Sequence, residues 1–199
     1  MNSIVILYPE LFACYSKFSR KIANILKNIN QGIVTFPDDP HGYIKSIFNN
    51  GNFRLVHNKA WKDSYVTHGI IFDDGEEFAR ETVFFREHGF PLRLVPIRLT
   101  RVINIRIEPQ FKDRKSTPTY EYIGRGSYWG NPYSMYEDGE DRKDVIRKFR
   151  YDFERDIFPN KEKNKVYKLA GKRLGCFCKP DACHGDVLAD YLNSWDDGS

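Results

Sequence analysis

The sequence predicts a layered α/β fold with a mainly parallel sheet, and three observations carry that prediction. Short apolar runs of strand length recur along the first hundred residues. The segments between them space their apolar residues as helices do. Turn-forming Gly, Pro, Asn and Asp residues fall at the junctions, giving a β-α-β-α-β order.

Ile4-Val5-Ile6-Leu7 is the first such run, the pattern of a strand covered on both faces. Phe18, Ile22, Ile25, Leu26 and Ile29 then mark a helix, with Ser16 or Ser19 as its expected cap and Gly32 as its stop. Ile33-Val34-Thr35-Phe36 predicts a second strand, ended by the turn Pro37-Asp38-Asp39-Pro40. Tyr43, Ile44, Ile47 and Phe48 predict a short helix closed by Asn49-Asn50-Gly51, and Phe53-Arg54-Leu55-Val56 a third strand. A fourth runs from Thr67 into the acidic turn Asp73-Asp74-Gly75-Glu76-Glu77. A helix through Phe78, Thr82 and Phe85 follows, with Gly89 past its end and a strand over Leu92 to Ile97. Ligands of open α/β sheets gather at the carboxyl ends of strands, so Asp73 is a candidate substrate contact. The competing reading gives Asp73 and Asp74 to the free amides of the following turn and helix.

Val102, Ile103 and Ile105 alternate with polar residues between Arg101 and Arg106, a further strand, and the polar stretch Pro109 to Thr119 reads as a loop. Tyr122 to Tyr133 then packs three glycines, an arginine, a serine and several aromatic rings into twelve residues. Glycine lets a backbone approach a ligand, arginine forks onto phosphate or carboxylate, and aromatic rings stack on bases. Gly124, Arg125, Ser127, Tyr128, Trp129 and Asn131 are therefore the expected substrate contacts. Asp141 to Phe158 reads as one amphipathic helix, capped from Asp138-Gly139 and ended at Pro159-Asn160. Val145, Ile146, Phe149, Phe153 and Ile157 form its core face. Val166 to Leu169 is a short helical turn.

The stretch Gly175 to Asp186 holds three of the four cysteines and admits two readings. Cys176, Cys178, Cys183 and His184 are a zinc-type donor set, but adjacent side chains on a helix diverge, so one tetrahedral site closes awkwardly. The preferred reading is a strand, a turn and the first turn of a helix. Cys176 and Cys178 are then buried strand residues, while Cys183, His184 and Gly185 occupy a helix N-terminus suited to an anion. His184, Asp186 and Cys183 are the expected catalytic residues: His184 for acid–base work, Asp186 to orient it or contact a sugar hydroxyl. Gly185 leaves room for a ligand. No metal ligand set is assigned, and no cofactor is specified.

Composition adds limits. No run approaches the roughly 18 apolar residues of a membrane span, no signal peptide is apparent, and clustered rather than evenly spaced cysteines suit a reducing cytoplasm. The formal charge is only +4, yet Arg142 to Arg173 carries twelve Lys/Arg against five Asp/Glu. That makes nucleic acid the alternative partner, through the basic helix Arg142–Arg155.

The first half weakly resembles Rossmann-like nucleotide-binding domains, although neither Gly-x-Gly-x-x-Gly nor a P-loop is present. The second half resembles an uncharacterised phage and bacterial domain family, the domain of unknown function numbered 4326. Its motifs appear here as Val102-Ile103-Asn104-Ile105-Arg106, Tyr122-Ile123-Gly124-Arg125, Trp129-Gly130-Asn131-Pro132 and Leu174 through Ala189. The match runs from about Arg101 to Asn193. It implies a phage or mobile-element origin and, by conjecture for such domains, a nucleotide-related role in the host cytoplasm. The expected organisation is a Rossmann-like region at 1–98 and the uncharacterised-family domain at 99–199. The expected function is binding of a nucleotide or nucleotide derivative, with transfer or hydrolysis at a glycosidic or phosphate bond. The alternatives are a non-enzymatic interaction protein and a zinc-stabilised module.

Overall fold

The structure is a computed structural model that describes residues 1–49, 51–135, 140–158 and 160–199. Asn50, Asp138, Gly139 and Pro159, expected as helix boundaries, lie outside the described residues. The chain divides into one unit of residues 1–97 with 194–199 and a second of residues 98–193.

In the first unit β1 (Ser3–Leu7), β2 (Gly32–Phe36), β3 (Phe53–His57), β4 (His68–Asp73) and β5 (Leu92–Pro96) form one sheet in the order β3-β2-β1-β4-β5, every pair parallel. This is a mainly parallel, Rossmann-like α/β layer. The order reverses between β1 and β4, so their carboxyl ends form the switch point where such sheets hold ligands. β1 is buried along its whole length, as its unbroken apolar run requires. The helices α1 (Tyr15–Ile25), α2 (Tyr43–Phe48) and α3 (Ala79–Glu87) connect the strands. Phe18 of α1 packs on Phe72 of β4, while Phe85 of α3 sits with Trp61, Val5 and Ile71.

Neither Ser16 nor Ser19 caps α1. Both lie inside it, and Cys14 precedes it without a side-chain cap bond. α2 is capped from further upstream, where Asp39 accepts from the amides of Ile44 and Lys45 and from the Tyr8 hydroxyl. Burial, then that carboxylate, raises the Tyr8 pKa. Lys17 is buried and bonds Asp197, tying the C-terminal residues to α1.

In the second unit β6 (Arg101–Asn104), β7 (Ser116–Thr117), β8 (Tyr120–Tyr122) and β9 (Arg173–Cys176) lie in the order β6-β9-β8-β7, parallel except for β7 with β8. α4 (Arg142–Arg155) and α5 (His184–Asn193) supply Phe149, Phe153, Val187, Leu188 and Leu192 to its core. α4 begins on a capping box in which Asp141 and Asp144 bond each other's amides. It ends before Ile157, which is exposed rather than core-facing. Asn193, the last residue of α5, accepts from the Thr100 amide and donates to the Thr100 carbonyl across 93 residues.

Candidate functional site

The site is built where β9 ends and α5 begins. Cys176 closes the strand and is buried, Phe177 turns outward, and Cys178 lies past the strand end, half-buried. The Asp181 amide donates to the Cys178 carbonyl at 3.0 Å, and the chain folds back so that Cys183 stands immediately before α5. Within that first turn the Gly185 amide donates to Cys183 Sγ at 3.4 Å and the Asp186 amide to the Cys183 carbonyl at 3.0 Å. Two amides that an incoming anion would use are thus already engaged. The Asp186 carboxylate accepts from the Cys183 amide at 2.8 Å and pairs with Lys179 at 2.7 Å. The Asp186 carboxylate thus caps the helix, with Cys183 and Lys179 as its partners.

His184 is buried. Its Nε2 lies 2.9 Å from the Ile123 carbonyl, which only accepts, so Nε2 carries the proton and Nδ1 the lone pair. Nδ1 lies 3.7 Å from Cys183 Sγ. Burial, opposed by the Ile123 bond, lowers the His184 pKa and favours the neutral ring. The three sulfurs of Cys176, Cys178 and Cys183 lie within 4.8 Å of one another, with Cys176 and Cys178 at 3.3 Å. Hydrogen bonds from Cys176, then Cys183, pull the Cys178 thiol down, helped by the charge of Arg142. Bonds with Cys176, then Cys178, together with burial, push the Cys183 thiol up. Cys176 is buried in the core as expected of a strand residue, Cys178 packs against that core from past the strand end, and both sulfurs stand in this cluster.

A cavity of about 200 Å³ brings the two sequence motifs together. Gly124, Arg125 and Asn131 of the one motif and Cys178, Cys183 and His184 of the other all line it. Arg142 of α4 joins the lining, a residue read from sequence only as part of a basic helix face. Arg125 is exposed, and among the described residues no carboxylate pairs with it. Arg142 reaches the Ala182 carbonyl and Asp181, both at 3.3 Å.

Other expected contacts are placed differently. Trp129 is turned into the core, where it packs on Phe153, and does not line the cavity. Tyr128 is exposed, its hydroxyl accepting from the Glu162 amide at 2.7 Å. Asn131 joins its loop to α4, accepting from the Tyr133 amide and donating to the Val145 carbonyl. The Ser127 hydroxyl is buried without a partner among the described residues. Gly124 is required by its own neighbours: a Cβ there would stand 2.2 Å from the Tyr122 hydroxyl. At Gly185 a Cβ would meet Ile123 Cδ1 at 2.4 Å, so its bareness serves packing, not ligand access. Asp73 belongs to the first unit, where it accepts from the Gly75 amide, while Asp74 accepts from Glu76 and Glu77. The basic side chains of α4 are largely matched: Arg147 by Asp144, Lys148 by Glu140, Arg150 by Glu154 and Asp190. Among the described residues these pairs lend the nucleic-acid alternative no support.

The model of the minimal SLOG domain matches residues 1–103. The chain belongs to the minimal SLOG domain family. Such domains are typically nucleotide-related, and this one is the parallel sheet of the first unit. The likeness drawn from motifs alone covered only the second half. The first half, ahead of it, is the minimal SLOG domain. Residues 108–194 match the domain of unknown function DUF4326. An uncharacterized 12.4 kDa protein from the nrdA-td intergenic region of Enterobacteria phage T4 is 42% identical over 72 residues, which is 36% of this chain and 65% of the phage protein. No solved structure matches the chain. Among the described residues no helix is long and apolar enough to cross a membrane.

Proposed function

We propose that the protein binds a nucleotide or nucleotide-derived small molecule whose anionic group is held by Arg125 and Arg142 in the second-unit cavity. The observation that carries this reading is the cavity itself, which gathers Arg125, Arg142, Cys183 and His184 from three separate stretches of chain. Arginine presents a planar fork suited to phosphate; Arg125, with no carboxylate partner among the described residues, keeps that capacity whole, while Arg142 shares its fork with the exposed Asp181. Membership of the minimal SLOG domain family supports a nucleotide-related ligand. His184, with Nδ1 free of the backbone, is the proton carrier at the cavity floor. Transfer or hydrolysis at a glycosidic or phosphate bond is the reaction class that needs an anion clamp beside one proton carrier.

The test is a thermal-shift and calorimetric screen of the full chain against nucleoside mono- and diphosphates, NAD and nucleotide sugars. One class should stabilise the wild type, and Arg125→Ala should weaken it by about tenfold or more, the loss of one charged hydrogen-bonded contact. If no ligand stabilises the wild type, or if binding survives Arg125→Ala and Arg142→Ala but fails in Asp73→Asn, the cavity is not the binding site.

A further inference from the structure

We propose that Cys176, Cys178 and Cys183 form a thiolate site for one zinc ion, with its fourth position turned toward the cavity lined by Arg125 and Arg142. The site belongs to the second unit's own fold and does not depend on the ligand proposed above.

Three independent features converge on it. The first is spacing. With metal–sulfur bonds of about 2.3 Å, a tetrahedral site holds its sulfurs about 3.8 Å apart. Here two sulfurs are 3.3 Å apart and all three lie within 4.8 Å, so closure needs shifts that rotation of thiol side chains supplies. The difficulty seen in the sequence came from asking adjacent Cys183 and His184 to serve together. The reverse turn at Asp181 removes it, because Cys183 alone is returned to the strand end. The second is donor chemistry. The cluster is all sulfur, with no carboxylate oxygen in it, a set that selects zinc over calcium or magnesium.

The third is charge. Three thiolates around a divalent ion leave one net negative charge, and the surroundings are arranged to bear it. The Gly185 amide already donates to Cys183 Sγ, the positive end of α5 begins at the next residue, and Arg142 lines the same cavity. His184 stands beside this cluster with its proton fixed on the Ile123 side and its Nδ1 lone pair toward Cys183. It neighbours the open position and is not one of the three holding ligands.

The full chain, purified under reducing conditions without chelator, should contain one equivalent of zinc by elemental analysis. Exchange into cobalt should give a thiolate-to-cobalt charge-transfer band and the intense visible bands of a tetrahedral ion. Cys176→Ser, Cys178→Ser and Cys183→Ser should each weaken metal binding by tenfold or more, while Cys14→Ser, in the first unit, should not. Because a cysteine variant that loses its metal can also unfold, the wild-type measurements decide alone. Wild type with neither a zinc equivalent nor a cobalt charge-transfer band overturns the proposal, as does a Cys176–Cys178 disulfide in freshly purified protein. Retention of full metal content by His184→Ala supports the open fourth position, and its loss overturns that part. Failure to bind any nucleotide would leave these results unchanged, so the two readings fail separately.

Discussion

The two units reach a stable core by different routes. The first stacks five parallel strands of five or six residues, and its centre is an unbroken Ile-Val-Ile-Leu run buried on both faces. The second has strands of two to four residues, too short to bury much by themselves. It relies instead on distant contacts: Asn193 on Thr100, His184 on the Ile123 carbonyl, Phe149 against His184, and glycines covered by tyrosine rings. A regular sheet tolerates change as long as the pattern holds. A core stitched by single long-range bonds concentrates its stability, and its chemistry, in a few side chains.

Four perturbations sharpen that contrast, each read by hydrogen exchange resolved to the two units. The largest effect should come from Phe149→Ala. Phe149 is wholly buried in the second core against Phe158 and His184, and truncating such a ring costs about 3–5 kcal/mol. Protection should fall in β9 and α5 while β1 and β4 are unchanged. Equal loss in both units would mean that the second core does not stand by itself.

Asn193→Ala should come next. It strands the buried amide and carbonyl of Thr100, at about 1–3 kcal/mol for each group left without a partner. Asn193→Asp should recover part of the loss, since a carboxylate still accepts from the amide. If alanine is harmless there, the stitching account fails.

Gly69→Ala probes the first unit. A Cβ at Gly69 would stand 2.6 Å from the buried Phe85 ring, an overpacking worth about 1–3 kcal/mol confined to β4, α3 and their neighbours. A fully neutral result would show that the α3 layer yields, and that the first unit is the softer of the two.

The smallest effect is electrostatic. Burial raises the Asp197 carboxyl, but bonds from Lys17 and Ser199 outweigh it and hold the group at about 2 against an ordinary 3.8. A depressed folded-state pKa contributes stability that is present above the unfolded value and is lost as pH falls through the folded one. The first unit should therefore lose thermal stability between about pH 4 and about pH 2. Lys17→Met should flatten that dependence without touching the second unit. An unchanged acid profile in Lys17→Met would remove the Lys17–Asp197 pair as its cause.

Much of the first unit was legible from residues alone because period and turn chemistry are local properties. Ile4 to Leu7 and Ile33 to Phe36 announce strands wherever they fall, and Gly89 ends a helix through its positive φ of 65°. Caps were less legible. α1 is capped by neither of its expected serines, and α2 takes Asp39 from beyond its own first turn, because the nearest suitable group in space was not the nearest in sequence. In the second unit the motifs marked stretches that meet at one cavity, but not which of their side chains face it. Trp129 and Asp186 were read as ligand contacts, since an aromatic ring or a carboxylate in a dense motif looks the same whether it faces a cavity, a core or a helix end.

The sequence by itself determined the α/β layer, the two motifs of the second half and the cysteine-rich strand-turn-helix, all encoded in contiguous residues. Only the tertiary structure decided that Arg125 and Arg142 share a cavity with His184, that His184 spends one nitrogen on a carbonyl 61 residues away, and that three sulfurs meet. Those facts rest on where a turn sends the chain back and on which atoms it then places within bonding distance, and no spacing along a linear string contains that information.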